Sequence, residues 1–357
     1  MTSQENALKA PLYLLFFLLF LAAPAQAAVV LQYHHVDTGT PASTSTSPER
    51  FAMHLDYLAD NDFDVVPLAE LVDALRAGEP LPDRTVAITF DDGYVSIYAT
   101  AWPLLKAKGW PFTVFVNSEP HDQGKPLFMS WHQLRELHAG GATIANHTVS
   151  HPYLLRPPSN LSAAERNGWI EGEITRAQRR IEAEIGTAPK LFAYPFGEYD
   201  NTVLEVIEAL GYAGFGQQSG PLATYSDLRA LPRFPFGGPY GDAQDFATKV
   251  NSLPLPLAND GDALRWRSAA GQTLLDIVLP GPTARPVLLL RPAAGFDGGR
   301  LACFASGQGR AMLEREGDWF RIQAEKPFGT GRARYNCTAP ADEAGRFFWY
   351  TQSWIIQ

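Results

Sequence analysis

Between Val29 and Leu210 the chain alternates short apolar, β-rich runs with longer amphipathic stretches, and that alternation leaves few folds open. Val29-Val30-Leu31-Gln32-Tyr33 reads as a first strand. Ser47-Pro48-Glu49 then supplies an N-cap, a Pro at the first helical position and an acid in the first turn, with Phe51, Leu55 and Leu58 at helical spacing. Val86 to Phe90 reads as a buried strand, followed by a helix from about Val95 to Lys108 with Gly109 as its stop. Further strands are expected over Phe112 to Val116, Ala142 to Ala145 and Leu191 to Tyr194. The helices between and after them cover Trp131 to His138, Ala163 to Ile185 (ended by Gly186) and Thr202 to Leu210 (closed by Gly211). Repeated strand–helix units of this length predict a parallel sheet covered by helices, either a barrel or a doubly wound layer. In both, functional residues gather in loops at the C-terminal ends of the strands.

The pattern changes after Asn251. A Pro- and Asp-rich stretch without periodicity suits a linker, and short strand candidates follow at Leu274–Leu279, Val287–Arg291, Leu301–Ala305, Trp319–Gln323, Arg332–Thr338 and Phe347–Ser353. Gly and Pro separate them, which reads as a small antiparallel β-domain. At the other end, Lys9 precedes the apolar run Leu12 to Leu21, and Ala25-Gln26-Ala27 has the small-residue pattern of a signal-peptide cleavage site. The run is shorter than the ~20 residues a spanning helix needs, and no later segment is long and apolar enough to cross a bilayer. The expected organisation is a signal peptide over 1–27, an α/β domain over 28–250, a linker over 251–263 and a small β-sandwich-like domain over 264–357. An exported, periplasmic or secreted protein is expected, so Cys303 and Cys337 read as a structural disulfide. With 46% hydrophobic and 19% charged residues the chain is an ordinary globular protein. Its net charge of −9, without any basic run, argues against a nucleic-acid partner.

Two motifs carry chemistry. Thr89-Phe90-Asp91-Asp92-Gly93-Tyr94 places two carboxylates where a buried strand ends, costly there unless paired or bound to a cation. Gly93 permits a sharp turn, so one acid can ligate a metal while the other accepts a proton. A helix N-cap is the competing explanation for such a pair. His147-Thr148-Val149-Ser150-His151 follows the next strand but one, and two imidazoles four apart are expected on one face of a helical turn. Alone, either motif is weak. Together they supply two His and a carboxylate on the same rim, with coordination positions left for water and substrate.

T-F-D-D-G-Y followed by H-T-x-S-H-P resembles the first two motifs of the polysaccharide deacetylases of carbohydrate esterase family four, the NodB homology domain, over about Val29 to Lys249. The resemblance implies a distorted parallel α/β barrel, with Asp91 as catalytic base and Asp92, His147 and His151 as ligands of Zn²⁺ or another divalent transition metal. The third family motif, R-P-P-Y-G, is here Ala193-Tyr194-Pro195-Phe196-Gly197, so its Arg is missing. Arg233 is the candidate to orient Asp91 in its place, and the backbone N–H of Phe196 matches the family's oxyanion donor. The usual late L-x-H is also missing, since all eight histidines lie at or before His151. His34, in Tyr33-His34-His35-Val36, fills the role of the acid, with His35 as competitor. This early Y-H pattern resembles the biofilm poly-β-1,6-N-acetylglucosamine deacetylases. His54, His121, His132 and His138 are expected on the surface or in helix packing.

The implied reaction removes N-acetyl groups from an acetylated polysaccharide. Asp91 takes a proton from the attacking water, the Phe196 N–H stabilises the oxyanion, and protonated His34 releases the amine. Two other outcomes fit the same sequence. One is an O-acetyl esterase on xylan or another glycan, the other a non-catalytic carbohydrate-binding protein on the same fold.

Overall fold

The computed structural model describes residues 27–159, 161–258, 263–267, 276–281 and 284–357, so the expected signal peptide lies outside the described residues except for Ala27. Seven parallel strands form the path that carries the site: β1 (Ala28–Tyr33), β2 (Thr85–Asp92), β3 (Thr113–Val116), β4 (Thr143–Asn146), β5 (Leu191–Ala193), β6 (Ala213–Phe215) and β7 (Phe234–Pro235). Their order is β7-β1-β2-β3-β4-β5-β6, and the short strand Asp64–Val65 also pairs with the start of β2. Near-continuous apolar runs are what strands buried on both faces require, and β1 and β2 are buried along their whole length.

One short segment joins the two edges. Leu231 exchanges backbone hydrogen bonds with the end of β6, through Leu231 N to Gly214 O (2.8 Å) and Gly216 N to Leu231 O (2.9 Å). Three residues later Phe234 and Pro235 pair with Leu31 and Gln32 of β1. The result is the distorted parallel (β/α) barrel expected from the sequence. Alternation along the strands sorts their side chains into two cores. Val29, Leu31, Val86, Ile88 and Phe90 pack with the helices, whereas Ala28, Val30, Ala87, Phe115 and Ala145 pack with one another in a second cluster.

Local signals explain the helices. Ser47 Oγ caps the helix Pro48–Asp60 by accepting from Arg50 N, and Ser162 with Glu165 forms a capping box at the start of Ala163–Ile185. Gly109 and Gly186 stop their helices in the left-handed region, at φ 68° and 90°. The helix expected from Val95 does start there, but it passes through a π-helical turn, Ile97–Ala101, before continuing as the α-helix Trp102–Lys108.

The C-terminal part forms a six-stranded and a four-stranded sheet. Most pairs are antiparallel, but Leu253–Pro254 and Val278–Leu279 run parallel to Phe347–Ile356. The expected linker therefore begins with a strand of the larger sheet, while its residues 259–262 lie outside those described. The sequence also hid the strands Leu264–Arg267, Gly309–Arg310 and Met312–Glu316. Cys303 and Cys337 face each other in adjacent strands and form a disulfide. Arg346 grips Asp83 of the barrel side with Nη1 and Nη2, at 2.8 and 2.6 Å. Among the described residues no helix is long and apolar enough to cross a membrane.

His54 shows how tightly the helices pack on the barrel. It is fully buried and stacks on Phe246 at 3.9 Å between ring centroids. Its Nε2–H donates to Gly241 O (2.7 Å), so Nδ1 accepts from the Tyr33 hydroxyl (2.9 Å). Burial lowers its pKa from 6.5 to about 4, only partly opposed by the Gly241 bond. The unfolded imidazole takes up its proton at the higher value, so this contribution is whole above 6.5 and is lost as pH falls towards 4. Acidification from about pH 7.5 to about pH 5 is expected to remove about 2 kcal/mol at this one position. Thermal unfolding at the two pH values checks it: His54→Gln should lose distinctly less stability on acidification than the wild type, and equal losses would contradict the assignment.

Candidate metal-binding active site

Strand parity places Gln32, Thr89 and Asp91 in step with the inner residues of β1 and β2. Asp91 is wholly buried, and an isolated carboxylate there would be prohibitive. Arg233, equally buried, answers it with a two-pronged pair, Nη1 to Oδ1 at 2.7 Å and Nη2 to Oδ2 at 2.8 Å. Gln32 Nε2 adds a third donor at 2.6 Å. The guanidinium is itself fixed, donating through Nε to Gly216 O (3.0 Å) and lying over the Phe115 ring at 5.4 Å. Burial pushes the Asp91 carboxyl up, but Arg233 and the nearby imidazoles together hold it below its ordinary value. The acid is thus ionised and oriented.

Asp92 is aimed differently. Its φ is 72° and that of Gly93 is 74°, so the turn begins one residue earlier than the glycine suggested. At Gly93 a Cβ would lie 2.8 Å from the His121 ring, so both space and φ select glycine. Asp92 Oδ1 lies 3.4 Å from His147 Nε2 and 3.5 Å from His151 Nε2. The ligand atoms of all three residues fall within 4.8 Å of one another. A tetrahedral ion with bonds of about 2.0–2.2 Å sets its ligand atoms about 3.3–3.6 Å apart. Both Asp92-to-imidazole distances match that spacing, and a carboxylate with two imidazoles is donor chemistry suited to a divalent cation. Burial raises the Asp92 carboxyl, yet the His147 hydrogen bond and the three surrounding imidazoles hold it well below the usual carboxylate range.

The histidine pair is not on a helical turn, contrary to the expectation from its spacing. An irregular loop carries it, with Thr148 at φ 73° and His151 at φ 56°. His147 Nδ1–H donates to Ala193 O (2.7 Å), which leaves Nε2 free to ligate. Burial and the neighbouring His147 lower His151 to about 4, so that its imidazole is neutral at neutral pH. For His147 burial lowers the pKa, but Asp92 and Asp91 outweigh it and raise the value, the same negative field that attracts a cation. Together with Phe196 at φ 60°, four of the six non-glycine residues with positive φ among those described belong to this site.

His34 Nε2 lies 4.0 Å from Asp91 Oδ2, and its side chain keeps 17% of its surface accessible. His35 is buried and stacks on Tyr94 at 3.6 Å. Of the remaining histidines, His121 packs its ring against Gly93, beside Asp92. His54 and His121 are buried in packing, His132 is exposed, and His138 bonds Ala142 O at 3.0 Å. Phe196 sits edge-on to His151 at 4.5 Å and stacks on Tyr153 at 3.7 Å.

Three residues of the site escaped the sequence reading. Gln32 was visible as a polar residue inside an apolar strand. Glu173 occupies the apolar stripe of its helix with Ile170, Ile174 and Ala177, and its Oε2 accepts from Val149 N, Ser150 N and Ser150 Oγ at 3.0–3.2 Å. An acid on a buried stripe was the available signal. Arg332, from the C-terminal β-domain, donates through Nη1 to Phe196 O (2.8 Å) and Gln217 Oε1 (2.9 Å), and no local pattern marks it.

Residues 78–215 match the family described as polysaccharide deacetylase, so that part of the chain carries a polysaccharide deacetylase domain. Among curated proteins, it is 26% identical over 249 residues to the poly-beta-1,6-N-acetyl-D-glucosamine N-deacetylase of Escherichia coli (strain K12). That match takes in 59% of this chain and 36% of the relative, so the chain spans about a third of that relative's length. In structure it is similar to IcaB from Ammonifex degensii, with TM-score 0.53, 27% identity, and 60% of this chain and 93% of that chain covered. The Streptococcus pyogenes deacetylase PplD shares the fold, with TM-score 0.54 at 22% identity over 61% of this chain and 95% of its own.

Glu173 offers a test of the ligand loop that needs no substrate. Removing the acceptor that gathers three donors should loosen the His147–His151 loop, and Glu173→Ala is expected to bind Zn²⁺ ~10–100-fold more weakly. Competition with a chromophoric chelator measures it. Wild-type affinity in the variant would show that Glu173 does not support the loop.

Proposed function

We propose that this protein is an exported, metal-dependent hydrolase that removes N-acetyl groups from an N-acetylglucosamine-containing polysaccharide. The observation that carries the reading is the division of labour between adjacent acids. Asp91 is locked to Arg233 and Gln32, while Asp92 shares a metal-sized space with His147 and His151. The curated relatives named as poly-beta-1,6-N-acetyl-D-glucosamine N-deacetylases point to the same substrate class.

Asp92, His147 and His151 would hold the ion, for which Zn²⁺ suits a ligand set of two imidazoles and a carboxylate. When bound, such an ion polarises the acetamide carbonyl and makes a water acidic. Asp91 is the base that accepts a proton as water attacks the carbonyl carbon. Arg233 keeps that carboxylate ionised and faces it towards the reacting water. The Phe196 N–H donates to the developing oxyanion, on a loop steadied from behind by Arg332. His34, partly open and near Asp91, donates a proton to the nitrogen as the C–N bond breaks. Acetate and a glucosamine amine leave, and no covalent enzyme intermediate is needed. His35, packed flat on Tyr94, is worse placed for that proton transfer.

Acetate release from defined N-acetylglucosamine oligomers is the test, read with and without a chelator. Release is expected to stop on chelation and return with Zn²⁺. His34→Ala should lower kcat by ~10²–10⁴-fold, with His35→Ala much less affected. A reversed order would transfer the acid role to His35. Faster release from an O-acetylated xylan oligomer than from the N-acetylated one would overturn the substrate class.

A further inference from the structure

A deep cavity lies away from the metal ligands, between the barrel and the C-terminal β-domain. It encloses about 440 Å³, within the ~300–1,000 Å³ typical of ligand pockets. Tyr199, Gln218 and Tyr225 line it from the barrel side, and Trp349 and Gln352 from the other domain. Aromatic rings beside amide groups are the chemistry that receives a sugar, apolar ring face against carbon and amide against hydroxyl. Charge narrows the ligand further. Two acids, Glu205 and Asp227, line the cleft against a single basic lining residue among those described, Arg229, which Asp227 (2.8 Å) shares with a third acid, Glu208 (3.1 Å), so negative charge is in excess. The cleft thus disfavours an anionic sugar and favours one bearing an ammonium group.

The cleft also shares a wall with the reacting centre. Gln218 O accepts from the backbone N–H of Arg233 (3.0 Å), the residue that clamps Asp91. Pro232 lines the cleft immediately before Arg233, and Trp349 meets Phe234, just after it, edge to face at 5.1 Å. Gln217, the neighbour of Gln218, shares Arg332 with the Phe196 carbonyl.

We propose that this interdomain cleft is a second glycan-binding site, which holds an already deacetylated, cationic glucosamine segment of the polymer while another residue lies at the metal. The proposal rests on the deacetylase reading for its substrate class. It gives the C-terminal domain a task, supplying Trp349 and Gln352 to a site that the barrel alone leaves half built.

Calorimetric titration of the full chain with a glucosamine tetramer, and with its fully N-acetylated counterpart, tests it. The wild type is expected to bind the free-amine tetramer more tightly. Trp349→Ala should weaken binding of both tetramers at least tenfold, and Glu205→Gln should erase most of the preference for the free amine. Glu205 is exposed, so that variant carries the test if Trp349→Ala fails to fold, as judged by its thermal midpoint. Unchanged affinity and preference in Glu205→Gln, or unchanged affinity in a folded Trp349→Ala, would overturn the proposal. Binding needs no turnover, so the two readings fail separately. A chain that releases no acetate yet loses the tetramer in these variants sinks the deacetylase reading alone, and an active chain whose tetramer binding ignores them sinks the cleft alone.

Discussion

Burying two adjacent carboxylates at the end of one strand is the constraint on which this molecule is built. Each needs a cation, and one cation cannot serve both, because the two acids leave the strand in different directions. For Asp91 the cation is Arg233, carried by the segment that touches β6 through Leu231 and β1 through Phe234. Closing the barrel and charging the proposed base are therefore one event. A chain that failed to dock this segment would leave Asp91 buried and unpaired.

For Asp92 the compensation is left to two imidazoles and the ion they are proposed to share. Holding the three together uses backbone conformations that non-glycine residues rarely adopt, at Asp92, Thr148 and His151. Such a loop persists only where its surroundings over-determine it. Glu173 does so from the long helix by collecting the donors of Val149 and Ser150, and Ala193 does so by fixing the tautomer of His147. Arg332 extends the support across the domain boundary to Phe196. The site is thus held from three sides, by strands, by a helix and by the second domain.

Much of this was legible in the residues. Caps and stops such as Ser47, Ser162, Gly109 and Gly186 act locally, so their elements are readable from sequence and their ends fell within a residue or two. The Asp pair was legible because buried adjacent acids demand an explanation. What stayed hidden depends on contacts remote in sequence. The two-residue strand Phe234–Pro235 has no periodicity to detect, and its partner lies some two hundred residues earlier. Spacing alone suggested a helical turn for His147 and His151, whereas tertiary bonds from Glu173 hold an irregular loop. The Pro-rich stretch after Asn251 looked like a linker because a strand pairing through Leu253 and Pro254 is specified by its distant partner, Phe347–Ile356.

The position of a bound cation distinguishes the roles of the two acids. Anomalous diffraction from crystals grown with Zn²⁺ is expected to show one strong peak, bonded at about 2.0–2.2 Å to Asp92 Oδ1, His147 Nε2 and His151 Nε2, with Asp91 left to Arg233. An ion bound by Asp91 instead, or three side chains that remain empty at saturating Zn²⁺, would contradict the account.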